Sequence, residues 1–236
     1  MKSSYYKYFA ALLLFGSNGI VASNINLPSY EIVLLRLLLG SLFLITVFTV
    51  SRQRFTFYRN KHTCLYLFIS ASAMGASWML LYEAYQQVGI SIASLAYYCG
   101  PVIVMILSPF LFRETLTWPK IAGFLTVLAG MCLVNLQALD EGKTIWGLFC
   151  GLMSAFMYAL MVTANKKAKP ESGLENSLLQ LVIGSFIVVA FVSMQKNFVL
   201  SLTTIDWIPV LLLGLLNTGI GCYLSVSYTH LRAHET

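Results

Sequence analysis

Ionisable side chains within long apolar stretches are the residues of this chain best suited to chemistry. Three of them stand out, Glu31, Arg36 and Glu83. A charge inside a membrane-like segment is costly, and it commonly pairs with another charge or serves an ion or substrate pathway. Glu31 and Arg36 are five residues apart, roughly 140° around a helix. They do not share a face, so we do not expect a pair within one helix.

Three interpretations of these charges stay open. In the first, Arg36 forms a structural ion pair across helices with Glu83 or Glu31. In the second, the long side chain of Arg36 snorkels towards the water interface. In the third, the charges act directly: Glu83 relays protons, or Arg36 binds the carboxylate of a substrate.

Two prolines, Pro101 and Pro109, interrupt another apolar stretch. Each lacks a backbone N–H and favours a kink if the stretch is helical. A kink can open a cavity or act as a hinge, so both residues are hinge candidates. Plain helix packing is the alternative, because proline is tolerated in membrane helices.

The elements that carry these residues are predicted to be membrane-spanning helices. The chain is 58% hydrophobic and 10% charged, too apolar for a soluble core of 236 residues. Backbone groups in lipid must be paired internally, so we predict an all-α integral membrane protein. The predicted spans are about 8–23, 30–50, 64–86, 90–112, 119–136, 145–165, 174–194 and 207–226. A signal peptide ending at Ser23 is the alternative for the first span.

Basic residues indicate the orientation. With a cytoplasmic N-terminus, eleven Lys and Arg residues lie in or beside the inner segments, whereas the outer ones hold only Lys143 and Lys196. This asymmetry predicts a multi-pass protein of the cell membrane (plasma or inner membrane). The net charge of +6 is then explained by the basic residues that set the orientation in the membrane, and no nucleic-acid motif accompanies it. Nucleic acid is therefore not an expected partner.

One segment occurs twice. Residues 31–41 and 175–185, which are 144 positions apart, share six of eleven residues. A duplicated unit is indicated. The copies open the second and seventh spans, and an odd separation of five spans makes the second copy inverted in the membrane. Inverted repeats allow one half to rock against the other around a central site.

Several short motifs in this order and spacing resemble the drug/metabolite transporter superfamily, and within it the EamA-type permeases. They are Glu31 and Arg36, Ala93–Ala96, Gly100–Val102, Phe112–Leu116, Gly123, Gly130 and Gly214–Tyr223. The resemblance covers about residues 5–225. It implies ten helices in two inverted five-helix repeats that move small metabolites, amino acids or drugs, mostly outward.

The resemblance also implies which helices line a central cavity. Aromatic and amide groups on them suit a partly apolar organic substrate. The cavity candidates are Asn18, Trp78, Tyr82, Tyr97, Tyr98, Tyr158, Asn217 and Tyr223. Ordinary helix packing is the alternative for each.

The chain departs from the family pattern at its end. We expect a first repeat at 1–142, an incomplete second repeat of three helices at 143–226, and thus eight of ten helices. Residues 227–236 are rich in ionisable groups and are expected to be a non-native tail; a short cytoplasmic terminus is the alternative.

Motifs for other chemistry are absent from the sequence. It has no CxxC, HExxH, P-loop or GxSxG pattern, so no metal, cofactor or ATP hydrolysis is predicted. The expected partners are a small-molecule substrate and the lipid bilayer, and a homodimer stays open. The rival class is a membrane-embedded receptor or enzyme, which should show clustered His, Asp or Glu at one depth; the sequence has no such cluster.

Overall fold

The described part of the chain is helical. The computed structural model describes residues 2–112, 117–119, 121–123, 125–126, 129, 145–168, 172–194 and 207–224. Its helices are α1 (Lys2–Gly16), α2 (Asn18–Ser23), α3 (Ser29–Val50), α4 (Lys61–Tyr97), α5 (Cys99–Phe112), α6 (Ile145–Ala168), α7 (Gly173–Ser193) and α8 (Trp207–Leu211), and α8 continues into a π-helix (Leu212–Ile220). Most of the predicted span 119–136 and the whole of 227–236 lie outside the described residues.

Among the described residues, five helical segments are long and apolar enough to cross a bilayer. They are Ser29–Val50, Lys61–Phe112, Ile145–Ala168, Gly173–Ser193 and Trp207–Leu224, with a shorter apolar helix at Phe9–Ser23. Large apolar side chains such as Phe110, Phe186 and Ile208 are more than two thirds exposed. Such a surface suits lipid rather than water. The chain is an all-α polytopic membrane protein, as predicted.

The segment Lys61–Phe112 reverses direction at Gly89. Gly89 has φ 81° and ψ 164°, a region that is essentially restricted to glycine. A Cβ on Gly151 of α6 would lie 2.8 Å from the Cβ of Ala96 and 3.8 Å from that of Ala84. Residues before and after Gly89 therefore flank the same point of α6. The predicted spans 64–86 and 90–112 are the two arms of this hairpin.

Contacts between the two copies repeat with the offset of 144 residues. A Cβ on Gly40 of α3 would lie 2.7 Å from the Thr218 side chain in the π-helix. A Cβ on Gly184 of α7 would lie 3.2 Å from the Met74 side chain in α4. Gly184 corresponds to Gly40, and Thr218 corresponds to Met74. The glycine of each copy thus packs against a helix of the other copy, as a two-fold arrangement of repeats requires.

Two of the predicted spans are interrupted, one near a proline and one at Ser17. α5 begins at Cys99, and a single residue separates it from the end of α4. The missing N–H of Pro101 removes the i+4 donor for the carbonyl of Tyr97. α5 then continues through Pro109. The predicted first span is divided at Ser17, between α1 and α2. A hinge role for Pro101 and Pro109 stays a prediction.

Candidate functional site

Arg36 lies at the centre of the molecule and joins three elements. On α3, it is only 2% exposed. Its Nε donates to Thr218 Oγ1 at 3.1 Å, and its Nη1 donates to the hydroxyl of Tyr82. The guanidinium carbon lies 4.0 Å from the centre of the Trp78 ring, a cation–π distance. α3, α4 and the π-helix therefore meet at one buried positive charge.

The predicted ion pair of Arg36 is not present. Glu83 accepts hydrogen bonds from Ser29 Oγ at 2.7 Å and from Gln87 Nε2 at 3.1 Å. Successive residues on a helix point about 100° apart, so when Tyr82 faces Arg36 its neighbour Glu83 faces elsewhere. Glu31 forms no ion pair with Arg36 within the described ranges. The ion-pair interpretation is wrong, and so is snorkelling, because the guanidinium is buried.

A cavity of about 530 Å³ adjoins Arg36. This volume is typical of sites for small molecules. Six predicted candidates line it together with Arg36: Asn18, Trp78, Tyr82, Tyr97, Tyr98 and Tyr158. The rings of Tyr97 and Tyr158 pack edge to face at 5.3 Å. Seven of the seventeen described residues of the wall are aromatic, and one of the seventeen carries a formal charge.

Four other candidates lie outside the described lining of this cavity. Asn217 is buried and donates to Ser17 Oγ at 3.0 Å and to Asn18 Oδ1 at 3.1 Å, so it holds the break between α1 and α2. Tyr223 is 39% exposed near the end of the last helix. Glu31 and Glu83 are likewise absent from the lining.

Gln180 is a cavity residue that the sequence interpretation did not select. It lines the cavity and donates from Nε2 to Ser70 Oγ at 2.9 Å. Gln180 is the repeat counterpart of Arg36. The offset of 144 residues was therefore a signal that both residues lie on the same cavity. Tyr85, Met74 and Met161 also line the cavity, and no sequence pattern separated them from packing residues.

Thr218 owes its position to the π-helix. Its Oγ1 donates to the carbonyl of Leu213, five residues earlier, at 2.8 Å. The same oxygen accepts from Arg36 Nε. π-helical turns are rare and often occur at functional sites. The wide turn therefore provides a buried acceptor next to the charge.

Glu175, the repeat counterpart of Glu31, binds a loop. Its carboxylate accepts from the backbone N–H and the hydroxyl of Thr56 and, at 2.9 Å, from the N–H of Phe57. It also lies in the first turn of α7, where a negative charge suits the helix dipole. The head of α7 is thereby joined to the loop between α3 and α4.

No group of three His, Cys, Asp or Glu residues that could hold a metal ion occurs in the described ranges. The described cavity wall likewise has no pair of carboxylates for acid–base work. What the arrangement can do is surround an organic molecule with aromatic surface and present one guanidinium to it.

Comparisons with known proteins agree with this architecture. The sequence is similar to "Uncharacterized transporter YxxF" of Bacillus subtilis (strain 168), with 26% identity over 221 residues that cover 91% of this chain and 69% of the relative. A solved structure described as "Crystal structure of protein" has the same fold, with a TM-score of 0.70 and 18% identity, over 95% of this chain and 78% of that one.

The family comparison matches nearly the whole chain. The profile of the EamA-like transporter family matches residues 3–136 and 145–230. These two segments contain the duplicated motifs, the helices that surround the cavity and Arg36. By this match and by its fold, the chain belongs to the EamA-like transporter family.

Proposed function

We propose that the chain is a secondary exporter that moves small organic metabolites, amino acids or drugs across the cell membrane by alternating access. The family membership establishes a membrane transporter. The proposal adds the substrate class, the outward direction, and a cytoplasmic N-terminus in the plasma or inner membrane.

The observation that carries the proposal is the aromatic cavity between the two halves. Residues of the first half, such as Trp78 and Tyr97, face residues of the second, such as Tyr158 and Gln180. Rocking of inverted halves about such a site would expose it to one side of the membrane and then to the other. Its volume suits a small organic molecule.

A substitution that fills the cavity tests the proposal. A Cβ on Gly16 would meet nothing within 4 Å, and Gly16 lines the cavity. Gly16→Trp should fill the cavity without disturbing the fold. Cells that express the wild-type chain should release at least one compound faster than cells with an empty vector, and Gly16→Trp should abolish this release. Untargeted mass spectrometry of the medium measures it.

Gly123→Trp is the matched control. A Cβ at Gly123 also meets nothing within 4 Å, and this glycine is not among the described cavity residues. The control should release the compound as the wild type does. Equal profiles for wild type and empty vector, or equal loss in both variants, would contradict the proposal, and faster uptake would contradict the direction.

A further inference from the structure

Arg36 carries a buried charge that has no counter-charge among the described residues. Two of the five N–H groups of the guanidinium have acceptors, both neutral hydroxyls. Nη2 has no hydrogen-bond partner in the described part of the chain. Burying a charge is costly unless it is paired and fully hydrogen-bonded. Stacking on Trp78 offsets part of that cost, and Nη2 still lacks an acceptor among the described residues.

The three carboxylates that the structure describes do not supply the missing negative charge, and Glu31 forms no ion pair with Arg36. Glu83 is bonded to Ser29 and Gln87. Glu175 is bonded to the loop at Thr56 and Phe57. The described wall of the cavity contains no Asp, Glu or Lys residue. Arg36 lines the cavity, so a molecule bound there is placed to supply the negative charge and the missing hydrogen-bond acceptor.

We propose that the cavity selects monovalent organic anions, with a carboxylate on Arg36 and an apolar or aromatic body against the ring-lined wall. This inference rests on the proposed function and narrows its substrate class. Arginine and carboxylate form short, strong hydrogen bonds because both groups are charged. One guanidinium balances one negative charge, so a dianion would leave excess charge in the cavity.

The same arrangement disfavours cations. An organic ammonium would lie near an unneutralised guanidinium in a poorly screened site, where like charges repel strongly. It would also find no carboxylate among the described wall residues. A neutral amide keeps the shape of the substrate but brings no negative charge to the guanidinium, so its hydrogen bonds to Arg36 are weaker than those of a carboxylate. The cavity therefore binds a carboxylic acid more tightly than the amide or the amine that has the same apolar part.

Three ligands that share a phenyl ring and differ in their head group test this selectivity. Phenylacetate, phenylacetamide and 2-phenylethylammonium differ in the charge of the head group. Each ligand is titrated at pH 7 into the full-length wild-type chain in detergent. The dissociation constant is obtained from the shift in the unfolding temperature of the protein. Phenylacetate should bind about tenfold or more tightly than either of the others.

Two glutamine variants assign the effect to one residue. Arg36→Gln should bind phenylacetate and phenylacetamide equally. Arg54→Gln, the same substitution at an exposed loop residue, should keep the wild-type preference. The comparison of the three ligands on the wild-type chain decides the question even where Arg36→Gln does not fold.

The inference is overturned by a wild-type chain that binds the amide or the ammonium as tightly as the acid, or that binds no phenylacetate at all. A preference for the acid that survives in Arg36→Gln overturns it too. These outcomes leave the proposed function intact, because the release test with Gly16→Trp and Gly123→Trp depends on no particular head group.

Discussion

The surroundings of Arg36 illustrate how a membrane protein holds a charge with neutral groups. Thr218 and Tyr82 accept from two sides, and Trp78 covers one face of the guanidinium. The sequence marked Arg36 as a candidate because a charge in an apolar stretch is costly. It did not identify Thr218, which lies 182 residues away and reaches Arg36 only through helix packing. The type of site and two of its aromatic residues, Trp78 and Tyr82, were thus predictable, and the partner from the second half was not.

The two glutamates of the repeated motif differ in their hydrogen bonds. Glu175→Ala should lower the free energy of unfolding by about 2 kcal/mol or more, because it leaves the N–H groups of Thr56 and Phe57 without their charged acceptor. Denaturant or thermal unfolding in detergent measures the loss.

Glu31→Ala is the matched control for this prediction. Glu31 has the same place in the first turn of its helix, and no hydrogen bond of its side chain occurs within the described ranges. The control should lose clearly less stability than Glu175→Ala. Equal losses would show that the bonds to the loop do not matter.

At the level of elements, the long apolar stretches and the polar breaks between them predicted most of the described helices. The spans 30–50, 145–165 and 174–194 correspond to α3, α6 and α7 within a few residues. The π-helix was not predictable, since its sequence is as apolar as that of an ordinary helix. Its wide turns depend on packing, for example of Gly214 against Leu39. The break at Ser17 was missed for a similar reason: it is held by Asn217, from a distant helix.

The hairpin at Gly89 gives a prediction for an element. Gly89→Ala should lower the free energy of unfolding by about 1–3 kcal/mol, because alanine disfavours the observed backbone conformation. Gly75→Ala is the control, since a Cβ there would have its nearest neighbour, the carbonyl oxygen of Gly184, at 3.4 Å, an ordinary contact. Unfolding in detergent compares the two variants, and a tolerant Gly89 would contradict the assignment of a strained turn.

For the whole molecule, charge asymmetry and inversion of the repeat are separate arguments for one arrangement. The distribution of basic residues predicts which side of the membrane the N-terminus lies on. The inverted repeat predicts that a two-fold axis relates the two halves. The exchanged contacts of Gly40 and Gly184 support the symmetry. The orientation and the division into domains at 142 and 226 stay predictions.

Orientation can be measured at two exposed serines that lie on opposite sides of the first arm of α4: Ser51 follows α3 and precedes this arm, and Ser91 lies two residues after Gly89. In a variant without native cysteines, Ser91→Cys should react with a membrane-impermeant maleimide on intact cells. Ser51→Cys should react only after the membrane is opened, because a cytoplasmic N-terminus places residues 51–63 inside. The reverse pattern would refute the proposed orientation.

A scaffold built from two equivalent halves has no forward direction of its own. Any preference for one direction has to arise where the halves differ, or from the concentrations on the two sides. The cavity contains two differences of this kind among its described residues: Arg36 in the first half corresponds to Gln180 in the second, and Trp78 corresponds to Cys222. A bound anion would therefore keep its charged end towards the same half in every state. The scaffold would supply a fixed pose for its cargo, and the gradient would supply the direction of flow.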